Sequence, residues 1–504
     1  MRGGWVSGVL VGWLAAGCGG MVSEDGLAPG TATQVQPDTQ IQAASLASLT
    51  TGTPSRPKVI FPPTQMTPRY AAGPESLVDF KGRLAFGANF EDGTRSLWMS
   101  DGTRAGTTAL RVFPPDSPPA TNAHVANLTP AGDRFFFTVG DYSHGNELWL
   151  SDGTTSGTRL VADITPGTGD SLLSNLAAFG DTVTFFRTLE VAGSSSWRTE
   201  LWRSDGSASG TVRIHDFGPG VEVDWRTARA GGVLVFFTRT EAGDLSVWRT
   251  DGTSTGTQLL RSLPPGGYGP ADVNSAGALA FFTTSDAAGT TTVWKTDGTS
   301  AGTVRLYTFA NDGRYPALMT VMGEYLYVTL SNSADQRLAL FRLRVDGVGG
   351  KEHVATLPNP YAALPDASPY MSRFSATADR IYFEYAIGSS GPAPRDTQLW
   401  VTDGTKAGTR MLHRPLSLSD EYGSPIFAAE SNLVFFAAYD STTGIETWVT
   451  DGTVAGTHLL KDINPGATGS VPYSYTRVGQ QVFFSAYDDT QASQLWTVPL
   501  VPGP

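Results

Sequence analysis

Cysteine is almost absent: Cys18 is the only one in 504 residues, so no intramolecular disulfide staples the fold and stability has to come from burial. Charge is sparse too. Only 16% of residues are charged, without blocks of one sign, and 47 acids outnumber 35 bases for a net charge of -12. That balance argues against binding nucleic acid or anionic lipid through the fold itself. No window carries a sustained apolar stripe of helical period, so few helices are expected. The apolar run from Trp5 to Ala16 is too short to span a bilayer. The six histidines have no metal-site spacing, no GxSxG elbow occurs, and no glycine-rich loop carries a phosphate-binding lysine. No metal, cofactor or nucleic-acid partner is therefore expected.

What fills the chain instead is a repeat. The pattern D-G-[T/S]-x-x-G-T starts at Asp101, Asp152, Asp205, Asp251, Asp297, Asp403 and Asp451, with a degenerate copy at Asp346-Gly347. Each follows an aromatic in a strand-like run, the last such aromatic being Trp496. The period of roughly 48 residues falls in the range of propeller blades. Each unit reads as four short, turn-bounded strands. Adjacent aromatics such as Phe136-Phe137, Phe236-Phe237 and Phe435-Phe436 occupy the second strand. Neighbouring residues of a strand face opposite ways, so both faces must be covered, as in a blade stacked between two others. The seven Asp residues are read as structural turn residues: Asp bonds nearby backbone N–H groups and Gly supplies positive φ. The other reading, a calcium loop, suffers from having one carboxylate per turn.

The expected fold is therefore all-β: a propeller of four-stranded blades, nine by count, eight if the weak sixth unit is displaced. The segment Pro57–Pro63 echoes a fourth strand, and the last unit lacks one. A strand near Val59 is expected to pair with the strand carrying Trp496 and close the ring, which removes exposed sheet edges. The expected boundaries are a signal peptide over 1–17, a flexible Gly/Thr/Ser/Gln/Pro tether over 18–55, the propeller over 56–500 and a tail over 501–504. Leu14 to Cys18 resembles a bacterial lipobox, although Ala15 stands where Leu is usual. Lipidation of Cys18, export and an outer-membrane or cell-surface address are the expectation.

The units resemble the ELWxxDGT repeat family of bacterial surface and secreted proteins over about residues 57 to 500. Glu147-Leu148-Trp149 and Glu200-Leu201-Trp202 match in full. Other copies depart at the first position, with Ser96, Ser246, Thr292, Gln398 and Gln494, and Glu446 is read as shifted by one. The resemblance implies a repetitive extracytoplasmic β-structure, often lipid-anchored, and no known reaction. The loops between blades vary, and place an aromatic at a near-constant register: Trp225, Tyr268, Tyr315, Tyr370, Tyr422 and Tyr473, with His124 in the matching place of unit two. These are the candidate ligand-binding residues, the bland alternative being packing between blades. No catalytic residue is assigned. The leading expectation is a non-enzymatic, lipid-anchored scaffold that binds or adheres to glycan or protein. The alternatives are a propeller enzyme acting on polysaccharide, with carboxylates in the central funnel, and a self-associating envelope protein. The discriminating observable is whether half-buried Asp, Glu or Arg side chains converge at one mouth.

Overall fold

The computed structural model describes residues 49–503 apart from 63–72, 91, 115–123, 192, 194–195, 265–266, 365–366, 389–394 and 419–424. The leader, Cys18 and most of the tether lie outside the described residues. The rest is a nine-bladed propeller, each blade an antiparallel sheet whose strands follow one another in chain order. Blade 2 is typical, with strands Ala126–Ala131, Arg134–Asp141, Gly145–Ser151 and Arg159–Ala162. The first strands of successive blades adjoin around the axis, and that of blade 1 adjoins that of blade 9. Blade 6 is complete, with Phe341 facing Val328 where other blades have Trp facing Phe, so no unit is displaced.

The doubled aromatics do what their adjacency demands. In blade 2, Phe135 and Phe137 pack against Phe80, Leu97 and Met99 of blade 1, while Phe136 packs against Val183 and Phe185 of blade 3. All three phenylalanines are fully buried. Such burial contributes roughly 1.5–3 kcal/mol per side chain.

Ring closure occurs as expected in kind but not in place. The closing strand is Leu49–Thr51, pairing Leu49 with Pro502 and Thr51 with Leu500 of the last strand, Ser493–Pro502. Ser55 adds a bridge to Thr497. Residues near Val59 form no strand, because the chain has already turned toward blade 1. The fold thus begins inside the segment read as tether and ends inside the segment read as tail. The echo noticed at Pro57 is real in function. Lys58 lies over Trp98 of blade 1, 5.5 Å from the ring centroid, and donates to Thr107 O at 3.0 Å. Arg111 does the same toward blade 2, 4.6 Å from Trp149 and 3.1 Å from Thr158 O.

The DGTxxGT segments are the hairpins between third and fourth strands. In blade 2, Asp152 Oδ1 accepts from Thr154 N at 2.9 Å and Thr154 Oγ1 at 2.7 Å. Gly157 N donates to Thr154 Oγ1 at 3.0 Å, and Thr158 Oγ1 donates to Thr154 O at 2.7 Å. The same bonds recur around Asp101, Asp251, Asp297, Asp403 and Asp451, and around Asp205 with Ser207 in place of Thr. These turns also join blades. Arg134 Nη1 donates to Asp205 O of the next blade at 3.0 Å, Arg380 Nη1 to Asp451 O at 2.9 Å, and Gln481 Nε2 to Asp101 O at 3.0 Å across the closure.

Candidate functional site: the inner rim of blades 4 to 7

The first strand of each blade borders the axis, and in six blades a β-bulge leaves two of its residues unpaired. A bulge frees residues from pairing and re-aims their side chains. One position recurs there, at a fixed sequence distance before the second-strand residue that faces the Trp. In blades 1, 2, 3 and 9 it holds Ser76, Asn127, Asn175 and Ser474, each with a left-handed φ between 51° and 57°. In blades 4, 5 and 7 the position is charged, with Arg226, Asp272 and Arg373.

Blades 3 to 6 bring two of these groups, Arg226 and Asp272, together. The first strand of blade 4 is split into Val221–Val223 and Ala228–Ala230, and the excursion between them carries Asp224, Trp225 and Arg226. Arg226 Nη1 lies 3.2 Å from both carboxylate oxygens of Asp224. Asn175 of blade 3 donates to Asp224 O at 3.2 Å. On blade 5, Asp272 Oδ2 accepts from Leu318 N of blade 6 at 3.0 Å. The half-buried Asp272 carboxyl is pushed above its ordinary range by desolvation, against the downward pull of the Leu318 amide, Arg226 and Thr283. Arg226 is therefore paired directly with Asp224 and acts on Asp272 through space.

The aromatics read from the sequence divide. Trp225, Tyr268 and Tyr315 are 57%, 45% and 55% exposed. They belong to blades 4, 5 and 6, at the end where blade-to-blade loops and second-to-third-strand loops meet. Tyr268 faces Ser285, Tyr315 faces Ser331 and Tyr370 faces Ala386, at matching places on three successive second strands. Arg226 stacks on Trp225, 4.3 Å from the ring centroid. Tyr370 is half-buried. Tyr473 is a packing residue: its hydroxyl bonds Ser493 Oγ at 3.0 Å, and a Cβ on Gly73 would come within 2.3 Å of that hydroxyl. Burial pushes its phenol up. His124 is exposed, 3.7 Å from Glu75 of blade 1, away from the arc. Tyr422 lies outside the described residues, as does most of the loop from Gly388 to Thr397.

The signature Glu is structural, and it has two uses. Glu147, with no exposed surface, accepts from Ile164 N at 3.1 Å and Thr165 N at 3.2 Å in the link to blade 3, and from the Ser171 hydroxyl. Glu446, read as displaced, stands in the same register two residues before its Trp. It accepts from Asn464 N at 3.1 Å and Ser470 Oγ at 2.5 Å. Gln494 takes the place in blade 9, accepting from Ile60 N and Phe61 N of the N-terminal segment at 2.9 and 3.2 Å. In these three blades the indole N–H of Trp149, Trp448 and Trp496 has no partner. In blades 1, 3 and 7 the residue turns back: Ser96, Glu200 and Gln398 accept from Trp98, Trp202 and Trp400 at 2.7, 2.9 and 2.9 Å. Among the described residues no group of three or more His, Cys, Asp or Glu could hold a metal ion.

No protein-family model and no curated protein matches the chain. Solved structures of similar architecture include prolyl oligopeptidase B from Galerina marginata, at 12% identity and TM-score 0.44 over 84% of this chain and 56% of that one. An oligogalacturonate lyase from Vibrio parahaemolyticus is 12% identical with TM-score 0.39, covering 90% of this chain and 97% of that one. The β-propeller domain of the Trilobed protease from Pyrococcus furiosus is 12% identical with TM-score 0.36, covering 65% and 92%. The chain spans little more than half the length of the prolyl oligopeptidases it matches. At such identity the likeness is one of architecture. The expectation of a non-enzymatic adhesion scaffold is nevertheless corrected here. Half-buried Asp and Arg side chains meet on the inner rim of blades 4 and 5, the feature that separates an enzyme from a scaffold.

Proposed function

We propose that the protein is a propeller enzyme that cleaves a glycan by acid–base chemistry on the inner rim of blades 4 and 5. The observation that carries this is the trio Asp224, Arg226 and Asp272, held by adjacent blades beside exposed aromatic rings. Asp272 is the proton donor to the glycosidic oxygen, since burial keeps its proton bound to higher pH than an ordinary Asp. Asp224 is the base, and Arg226 orients it while its stacking on Trp225 fixes the guanidinium. Trp225, Tyr268 and Tyr315 offer flat apolar faces on which sugar rings stack. Two carboxyls in unlike environments are the usual equipment for breaking a glycosidic bond.

The test is release of reducing ends from a panel of polysaccharides by the full chain carrying Cys18→Ser. Asp272→Asn is expected to abolish release while leaving the thermal midpoint in place. Arg226→Gln is expected to move the alkaline limb of the pH profile upward, because removing the cation raises the Asp272 pKa further. Activity persisting in D272N, or no release from any member of the panel, would overturn the reading. Membership of the ELWxxDGT repeat family, export and anchoring through a lipid on Cys18 belong to the same proposal. Incorporation of labelled palmitate, lost in Cys18→Ser, tests the anchor.

A further inference from the structure

We infer that the inner rim recognises an acidic glycan, and that Arg373 of blade 7 grips its carboxylate. This rests on the reading of the rim as a glycan site. Arg373 stands at the same sequence distance before its Trp-facing residue as Ser76, Asn127, Asn175 and Ser474 do in other blades, and is the second of the two residues freed by the bulge between Met371 and Phe374, where those are the first. It is exposed, and among the described residues it has neither a hydrogen bond nor an ion pair. The other cation at this position, Arg226, is already engaged by Asp224. Beside Arg373, the Ser372 hydroxyl is committed to the buried Glu384. Five other arginines, Arg134, Arg249, Arg261, Arg380 and Arg410, donate to the turns of the following blade. In a protein of net charge -12, a free guanidinium on the inner wall stands out from its surroundings.

An unpaired guanidinium fork matches a carboxylate in two parallel hydrogen bonds, which a neutral sugar hydroxyl does not reproduce. Tyr370 lies on the same first strand, in register with Tyr315 and Tyr268 of the two preceding blades. A polymer laid along that arc places rings on the aromatics and a uronic carboxylate on the fork. Neutral glycans lack the group that Arg373 is free to bind.

Binding is measured by calorimetry with the otherwise intact chain carrying Asp272→Asn, so that no ligand is consumed. The ligands are hexamers of alginate, polygalacturonate and hyaluronate, with cellohexaose as the uncharged counterpart. At least one acidic hexamer is expected to bind more tightly than cellohexaose, with an affinity that falls as salt rises. Arg373→Gln is expected to weaken that binding by about tenfold or more and leave cellohexaose unchanged, with Arg373→Lys intermediate because charge without the fork is retained. Absence of binding to all three acidic hexamers, or equal affinity in R373Q, overturns the inference. Turnover of a neutral glycan that D272N abolishes and R373Q spares sinks acidic recognition and leaves the proposed reaction standing. Arg373-dependent binding without turnover of any acidic glycan supports the recognition and sinks the reaction.

Discussion

The second glycine of each DGTxxGT turn is fixed by its own aspartate. An added Cβ on Gly157 would lie 2.1 Å from Asp152 Oδ1, although the residue has no left-handed φ. The same approach, 1.9–2.2 Å, recurs at Gly106, Gly210, Gly256, Gly302, Gly408 and Gly456. The constraint is therefore steric and pairwise, and a double-mutant cycle exposes it. Asp152→Ala loses two bonds to Thr154 and should cost about 1 kcal/mol, the turn being exposed. Gly157→Ala should cost at least as much, since it expels the carboxylate that makes those bonds. The pair D152A/G157A should be no worse than G157A alone, because the clash disappears with the side chain it meets. Thermal midpoints of the four proteins check this, and strictly additive losses would show that the glycine is needed for another reason. The hydroxyl of Thr154 holds Asp152 below the ordinary carboxylate range, so the turn's contribution is complete at neutral pH and fades as pH falls into the acid range.

At the scale of the strand and its loop, the repeat made the architecture legible and hid the candidate site. Doubled phenylalanines, turn residues and the Trp register all recur, so each copy confirmed the others. Arg226, Asp272 and Arg373 do not recur; each is one charged residue at a position that holds Ser or Asn in blades 1, 2, 3 and 9, and only the closing of the ring sets them around one axis. The exposed aromatics were legible because their register is shared, but sequence spacing could not separate Tyr315, which is open, from Tyr473, which packs on Ser493 and Gly73. The link from the signature Glu to the next blade's loop is invisible in the sequence, because the loops it reaches vary from blade to blade. That link has a pH consequence. Burial pushes Glu147 and Glu446 up to about 7, against the loop donors that pull them down. A carboxyl whose folded pKa exceeds its unfolded value stabilises fully below the unfolded value near 4.5 and loses that contribution as pH rises through about 7. Each residue should account for roughly 1–3 kcal/mol of that decline. Gln494 performs the same task without titrating, so Glu147→Gln with Glu446→Gln should flatten the midpoint between pH 4.5 and 7. An unchanged slope in the double variant would show that the decline has another origin.

For the whole molecule, nine sheets can cover both their faces only as a closed ring, and closure here depends on a short piece of chain from the far end of the sequence. Leu49–Thr51 caps the edge of Ser493–Pro502, Gly52 N donates to Pro499 O at 2.7 Å, and Ser55 exchanges two 2.9 Å bonds with Thr497. Arg56 then ties to Asp488 and Asp489 at 2.6 and 2.7 Å, Lys461 lies over Trp496 while donating to Pro54 O at 3.2 Å, and Lys58 reaches blade 1. These bonds unite the two ends of the chain without a disulfide. A chain beginning at Pro57 keeps every other blade intact but leaves a ten-residue strand with a bare edge. It should melt several degrees below a chain beginning at Ser48, by an amount comparable to the loss of one strand pairing, roughly 2–4 kcal/mol. It should also associate at high concentration in sedimentation, because an open edge pairs with its copies. The chain from Ser48 should behave as the full protein does. If the shorter chain melted at the same temperature and stayed monomeric, closure would have to reside in the contacts of blade 1's first strand with the first two strands of blade 9, where Ser485 Oγ of the second strand donates to Pro74 O at 2.7 Å, and the outer strand would be an ornament of the ring rather than its clasp.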